Sequence, residues 1–142
     1  VERIAQTFQD HGVNLVIGDA GEGALANSLL TKKMQGKPLY QLQYGSSTKA
    51  LNWNGVDRYL ADRTTLIDCF FLDVKQGRIQ FLEKAYMKEA FDDMLALYEE
   101  VMPSGKKVWR HSPNSPDDCL HAAVFSWVAC KILSHDLKFY HQ

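Results

Sequence analysis

The sequence predicts an α/β fold, and three observations predict it. Residues 1–44 alternate between helical and strand patterns, in the order α-β-α-β. A short apolar run, Leu15-Val16-Ile17, gives way to a glycine turn and then to apolar residues at helical spacing. The last element, after Pro116, is apolar around much of its circumference and reads as a central packing helix. An α-β-α-β order implies a parallel strand pair joined by a right-handed crossover.

The elements follow in order. Val1, Ile4, Ala5 and Phe8 form one face of a helix over Val1–Asp10, stopped by Gly12. Leu15–Ile17 is a buried strand ended by Gly18, with Asp19 where a parallel strand releases the chain. Gly21 and Gly23 allow a tight turn, and a helix runs from Gly23 to near Met34, with Lys32 and Lys33 suiting its C-terminal dipole. Leu39–Tyr44 alternates as a strand should. Gly45–Gly55 is polar and reads as a loop. Arg58–Lys75 reads as a helix ended by Gly77, with Leu60, Ile67, Phe70, Phe71 and Val74 buried. Arg78–Leu82 is a short strand or extended segment. Ala85–Met102 is periodic as one helix, its acids on a solvated face. Pro103–Gly105 turns the chain and Lys106–His111 is a short strand. Ser115 is placed to cap the final helix, with Pro116 at its first position and Asp117 and Asp118 at the positive end of its dipole.

At 142 residues and 46% hydrophobic content, the chain suits one domain, residues 1–142, with a real core. A net charge of −1 argues neither for nor against nucleic acid, so any such partner needs a local basic patch. Cys69, Cys119 and Cys130 are odd in number and lack metal-like spacing, which reads as reduced, buried thiols of a cytosolic protein. No stretch is apolar enough to span a bilayer, and no signal peptide is visible. The chain opens with Val in mid-pattern and reads as cut from something longer.

In an open α/β sheet, ligands bind outside the carboxyl ends of the strands. Asp19 has that position, although a carboxylate there also serves to cap the next helix. If the last helix brings Asp117 and Asp118 to the same edge, the carboxylates repel unless a cation sits between them. Hard oxygen ligands in an open site suit Mg²⁺ or Mn²⁺. Two such ions about 4 Å apart activate water and stabilise the leaving oxygen in phosphodiester cleavage. Helix capping explains Asp117 and Asp118 equally well. His121, one turn on, either binds phosphate, assists proton transfer, or is structural. Glu22 either reaches the metal or is a solvated loop acid.

Gly21-Glu22-Gly23-Ala24-Leu25-Ala26 also matches the dinucleotide pattern G-x-G-x-x-A. Asp19 and Glu22 place negative charge beside the would-be pyrophosphate, and the expected acid after the next strand is replaced by Gln43, Tyr44 and Gly45. Basic residues gather in connecting segments, with Lys49, Arg58 and Arg63 interleaved with Trp53 and Tyr59. These allow phosphate contact, and solvated helix ends explain most of them. Arg63 is the exception, since it precedes an apolar helix and reads as held inside by a carboxylate.

Three motifs in order carry a family resemblance. They are Leu15–Leu30 with its GDAGEG turn; Asp62-Arg63-Thr64-Thr65-Leu66-Ile67-Asp68 followed by Gln76-Gly77-Arg78-Ile79-Gln80-Phe81; and Pro116-Asp117-Asp118-Cys119-Leu120-His121-Ala122. Together they resemble the nuclease domain of tailed-bacteriophage large terminase subunits across most of the chain. The resemblance implies a ribonuclease H-like mixed sheet flanked by helices and a Mg²⁺- or Mn²⁺-dependent endonuclease that cuts concatemeric viral DNA. It matches Asp19 to the acid ending a middle strand and Asp118, with Asp117 beside it, to the acid starting the last helix. It makes Arg63 DNA-facing or structural; Lys49 and Arg58 join it as candidate DNA-binding residues from the basic cluster. Double-stranded DNA, and in the parent protein the portal and the small terminase subunit, are the implied partners, in the cytoplasm of a bacterial host. The family's remaining acid lies on a first strand upstream of a helix like Val1–Asp10, where this chain starts. A fragment lacking the first strands and the ATPase domain is expected to be weakly active or inactive. Its Leu15–Ile17 strand would be left with unpaired backbone groups, and self-association through that edge, or a rearranged sheet, is expected.

Overall fold

The structure is a computed structural model that describes residues 1–21, 23–47 and 49–137. Among them are five α-helices and two sheets of mixed parallel and antiparallel strands, so the chain is mixed α/β. Two compact units divide it. One holds Val1–Asp62 and residues 125–137; the other holds Arg63–Val124.

In the first unit, α1 (Glu2–Asp10) is followed by β1 (Val16–Asp19), α2 (Ala24–Thr31), β2 (Leu39–Tyr44), β3 (Asn52–Trp53) and β4 (Arg58–Ala61). The strands form one sheet in the order β1-β2-β4-β3. β1 and β2 run parallel, as the α-β-α-β order predicts, and Val16 stands opposite Leu39 and Asp19 opposite Leu42. β2 and β4 are also parallel, while β3 and β4 are antiparallel. Ala5 of α1 packs with Leu30 and Met34, and Phe8, Val16 and Leu39 close over that cluster. Leu42 and Ala61 are completely buried. Tyr44 of β2 meets Phe125, with ring centroids 5.9 Å apart.

The segment Arg58–Lys75 is not one helix. Arg58–Ala61 is a strand and only Arg63–Lys75 is helical (α3). The side chain of Asn54 accepts N–H bonds from Val56, Asp57 and Arg58, and this turn feeds the chain into the sheet. Tyr59 and Ala61 then alternate inward while Arg58 donates to Gln41 and Gln43 on β2. Cross-strand pairing overrides a helical pattern that four residues alone carry weakly. The Gly45–Gly55 segment likewise contains β3, not loop alone.

In the second unit, α3 buries Leu66, Ile67 and Phe70, each contributing about 1.5–3 kcal/mol by leaving water. Arg78–Leu82 forms no strand. Ala85–Met102 is not one helix. A 3₁₀ turn at Lys84–Tyr86 precedes α4 (Lys88–Met94), and Leu97–Val101 is a strand, β5. β5 pairs antiparallel with β6 (Lys107–His111), Glu99 lying opposite Trp109. Of the acids expected on a solvated helix face, Glu89 and Asp92 are exposed on α4 and Asp93 is buried, while Glu99 and Glu100 make hairpin ion pairs, with Lys107 at 3.0 Å and with Arg110 at 2.8 Å. The turn at Pro103–Gly105 makes this possible: Gly105 takes φ +79°, and Met102 N–H donates to the Lys106 carbonyl at 2.9 Å.

The final helix, α5, spans Asp118–Leu133 and buries Leu120, Val124 and Val128 completely. Its start is two residues later than Ser115–Pro116 predicts. The Asp117 carbonyl accepts from His121 N–H at 3.1 Å, so Asp117 stands at the position before the first helical residue. Of the three cysteines expected to be buried, only Cys69 is; Cys119 and Cys130 are exposed. No helix among the described residues is long and apolar enough to cross a membrane.

Candidate functional site

Asp19 lies at the carboxyl end of β1, in the first unit. It is exposed. Its Oδ2 accepts from Gly21 N–H at 2.9 Å, and its carbonyl accepts from the buried Asn27 side chain at 2.6 Å. The carboxylate therefore shapes its own turn and does not cap α2, whose N-terminus has no side-chain cap. Its Oδ1 takes no hydrogen bond among the described residues. The glycines of the turn are needed for this contact. A Cβ on Gly21 would stand 2.9 Å from Asp19 Oδ2, and one on Gly23 would stand 2.9 Å from the Asp19 carbonyl oxygen. Asn27 drew no attention in the sequence, since a lone Asn in a helix carries no signal. Glu22 lies outside the described residues.

The other acids belong to the second unit. Asp118 is exposed at the first position of α5, and its carboxylate makes no hydrogen bond or ion pair among the described residues. Asp117 is engaged. Its Oδ2 accepts from Arg63 at 2.8 Å and lies 3.0 Å from His121 Nε2. Arg63 also donates to the Trp109 carbonyl at 2.5 Å. The expectation that a carboxylate holds Arg63 is met, and the carboxylate is Asp117.

Burial works to raise the Asp117 carboxyl, but His121, by charge and hydrogen bond, with His111 and Arg63, outweighs it and holds the group below the usual carboxylate range. Burial, helped by the Arg63 guanidinium, holds the His121 imidazole below its ordinary value against the pull of Asp117. At neutral pH this is an ionised Asp117 beside a neutral His121. An ionised carboxylate only accepts, so His121 carries its proton on Nε2.

Arg63, Trp109, Arg110, His111, Asp117 and His121 line an open cavity of about 450 Å³. Trp109 is fixed by its indole N–H, which donates to Asp68 at 2.8 Å. His111 Nδ1 lies 2.9 Å from the Ser112 carbonyl and 2.8 Å from that of Ser115. Carbonyls only accept, so His111 carries its proton on Nδ1. Trp109 and His111 went unnoticed as site residues because β6 alone says nothing of what it packs against.

Beside the start of α5, the buried Asp93 accepts from Cys119 N–H at 2.8 Å, and its Oδ1 has no partner among the described residues. The Cys119 thiol is pushed up, first by its hydrogen bond to Asp93, then by burial and by the charges of Asp93, Asp118 and Glu89. That protonated thiol is no nucleophile at neutral pH.

Of the basic residues singled out, Arg58 is occupied by Gln41 and Gln43, and Lys49 is exposed in the loop after β2. For a divalent cation, Asp19 and Asp118 offer the right donor chemistry, hard oxygens with capacity unused. No group of three or more His, Cys, Asp or Glu side chains among the described residues is arranged to hold a metal. Mg²⁺ is commonly held through one or two carboxylates, with water and substrate phosphates completing its shell. No family model, curated protein or solved structure matches this chain.

Proposed function

We propose that the chain is part of a metal-dependent DNA endonuclease domain of the large-terminase kind, with a ribonuclease H-like fold. The observation that carries this reading is the pair of exposed acids with unused oxygens, Asp19 at a strand end and Asp118 at a helix start, within motifs that resemble that family. In this reading Asp19 and Asp118 hold Mg²⁺ or Mn²⁺, and Asp117 positions Arg63 and His121 instead of binding metal. The bound ion supplies Lewis-acid stabilisation and an activated water for phosphodiester cleavage. The parent protein acts on concatemeric double-stranded DNA with the portal and small terminase subunit, in the cytoplasm of a bacterial host. The glycine turn does not favour a dinucleotide, because Asp19 itself accounts for Gly21 and Gly23.

The test is Mn²⁺ titration followed by paramagnetic broadening of amide signals. Broadening centred on Asp19 and Asp118, reduced in both Asp19→Asn and Asp118→Asn but kept in Asp117→Asn, supports the assignment. No broadening at either acid, or robust plasmid nicking unaffected by Asp19→Ala, ends it.

Self-association belongs to the same reading. β1 pairs only with β2 among the described residues and so leaves one edge open. Val16 and Ala20 direct their amides to the β2 side, bonding the Pro38 and Leu42 carbonyls, so the Ile17 amide faces the open edge. Ile17→Pro removes an outward donor and is expected to reduce a concentration-dependent dimer in light scattering. A wild-type chain that is monomeric at every concentration excludes association.

A further inference from the structure

We propose that the second unit's cavity binds a phosphoryl oxyanion, held by Arg63, Arg110 and His111. This site is separate from the metal reading, since it uses neither Asp19 nor Asp118 and needs no divalent ion. The two guanidiniums are already held. Arg63 is fixed by the Trp109 carbonyl and by Asp117, and Arg110 Nε by Glu100 at 2.8 Å. Held arginines lose little side-chain entropy when an anion arrives. Both keep donors in reserve. The bonds of Arg63 run through its two terminal nitrogens, so its Nε–H has no acceptor among the described residues. Arg110 uses Nε and one terminal nitrogen, the latter only on the Met102 sulfur at 3.9 Å.

The Asp117 charge does not repel the ligand strongly, because Arg63 neutralises it at 2.8 Å. His111, with its Nδ1 proton committed to two carbonyls, leaves Nε2 to meet the ligand, accepting from a P–OH when neutral and donating to a P–O⁻ when protonated. Planar guanidiniums match phosphate oxygens in geometry as well as charge. A cavity of about 450 Å³ admits more than a bare phosphate and suits one carried on an organic group.

The experiment uses the ¹⁵N-labelled chain in EDTA at constant ionic strength. The Arg63 and Arg110 Nε–H signals are followed as inorganic phosphate, a nucleoside monophosphate and a short DNA duplex are added separately. Arg63 also holds the fold, so the exposed Arg110→Gln reads the site. Both signals are expected to move in a saturable way, with affinity about tenfold weaker in Arg110→Gln. A response to phosphate or the monophosphate identifies a free phosphoryl ligand; a response to the duplex alone identifies a phosphodiester. Signals that stay still with all three, or binding unchanged in Arg110→Gln, overturn the proposal. Because no metal is present, failure here is distinct from failure of the nuclease reading.

Discussion

Replacing Arg63 by Met keeps most of the side-chain stem and removes the guanidinium. Two acceptors lose their donor: the Asp117 carboxylate at 2.8 Å and the Trp109 carbonyl at 2.5 Å. A hydrogen bond to a charged group is worth about 1.5–3 kcal/mol, and a buried acceptor left unpaired costs about 1–3 kcal/mol. Both figures fall to the low end here. Arg63 is 29% exposed, and Asp117, though only 15% exposed, keeps His121 as a partner. The expected loss is therefore about 2.5 kcal/mol, or a fall in midpoint of roughly 5–10 °C for a chain of this size. Urea unfolding followed by Trp fluorescence and by circular dichroism measures it. Asp117→Asn alone should cost about 1.5 kcal/mol, and the double variant should lose less than both singles together, because the pair can be broken only once. Lys88→Met, which breaks an ion pair on an exposed helix face, serves as the control and should leave stability unchanged. A change below about 0.5 kcal/mol for Arg63→Met, or strict additivity with Asp117→Asn, refutes the view that this pair organises the cavity.

The remaining predictions concern pH, a glycine and an indole. His121 is held below its ordinary value of 6.5, so the unfolded chain takes up that proton first. Its stabilising effect is full above about pH 6.5 and is lost as pH falls through its lower folded value. Asp117, held below 3.8, adds stability above about pH 4 that disappears as pH falls through its folded value. His121→Gln should flatten the upper part of this acid decline in a pH series of urea melts; an unchanged slope contradicts the assignment. Gly18→Ala would place a Cβ 2.4 Å from Asn27 Oδ1, so the Asn27 clamp on Asp19 must shift. The expected cost is about 1–3 kcal/mol, partly recovered by Asn27→Ala in the same background, and thermal unfolding tests both. Trp109→Phe removes the donor to Asp68 and should cost about 1 kcal/mol; a neutral result means that bond adds nothing.

Local pattern alone determined the first half of the architecture. Residues 15–17 and 39–44 announce themselves as strands because short apolar or alternating runs end in glycine or polar turns, and the helix between them makes their pairing parallel, although the first strand begins at Val16 and runs on through Gly18 to Asp19. The last helix is equally legible, since apolar residues cover much of its circumference and, away from its two ends, leave water chiefly the stripe of Ala122, Ser126 and Cys130. Two stretches with helical spacing became strands, and only tertiary pairing decided them. Arg58–Ala61 is claimed by β2, and Leu97–Val101 by β6 across a turn. The strand-end Asp19 and helix-start Asp118 were readable from position, because each marks the boundary of an element. The cavity was not readable. Arg63, Trp109 and Asp117 come from three segments far apart in sequence, and a hydrogen bond between distant residues leaves no periodicity in either of them. Spacing along the chain reports which face a residue occupies; only the folded backbone decides what that face meets.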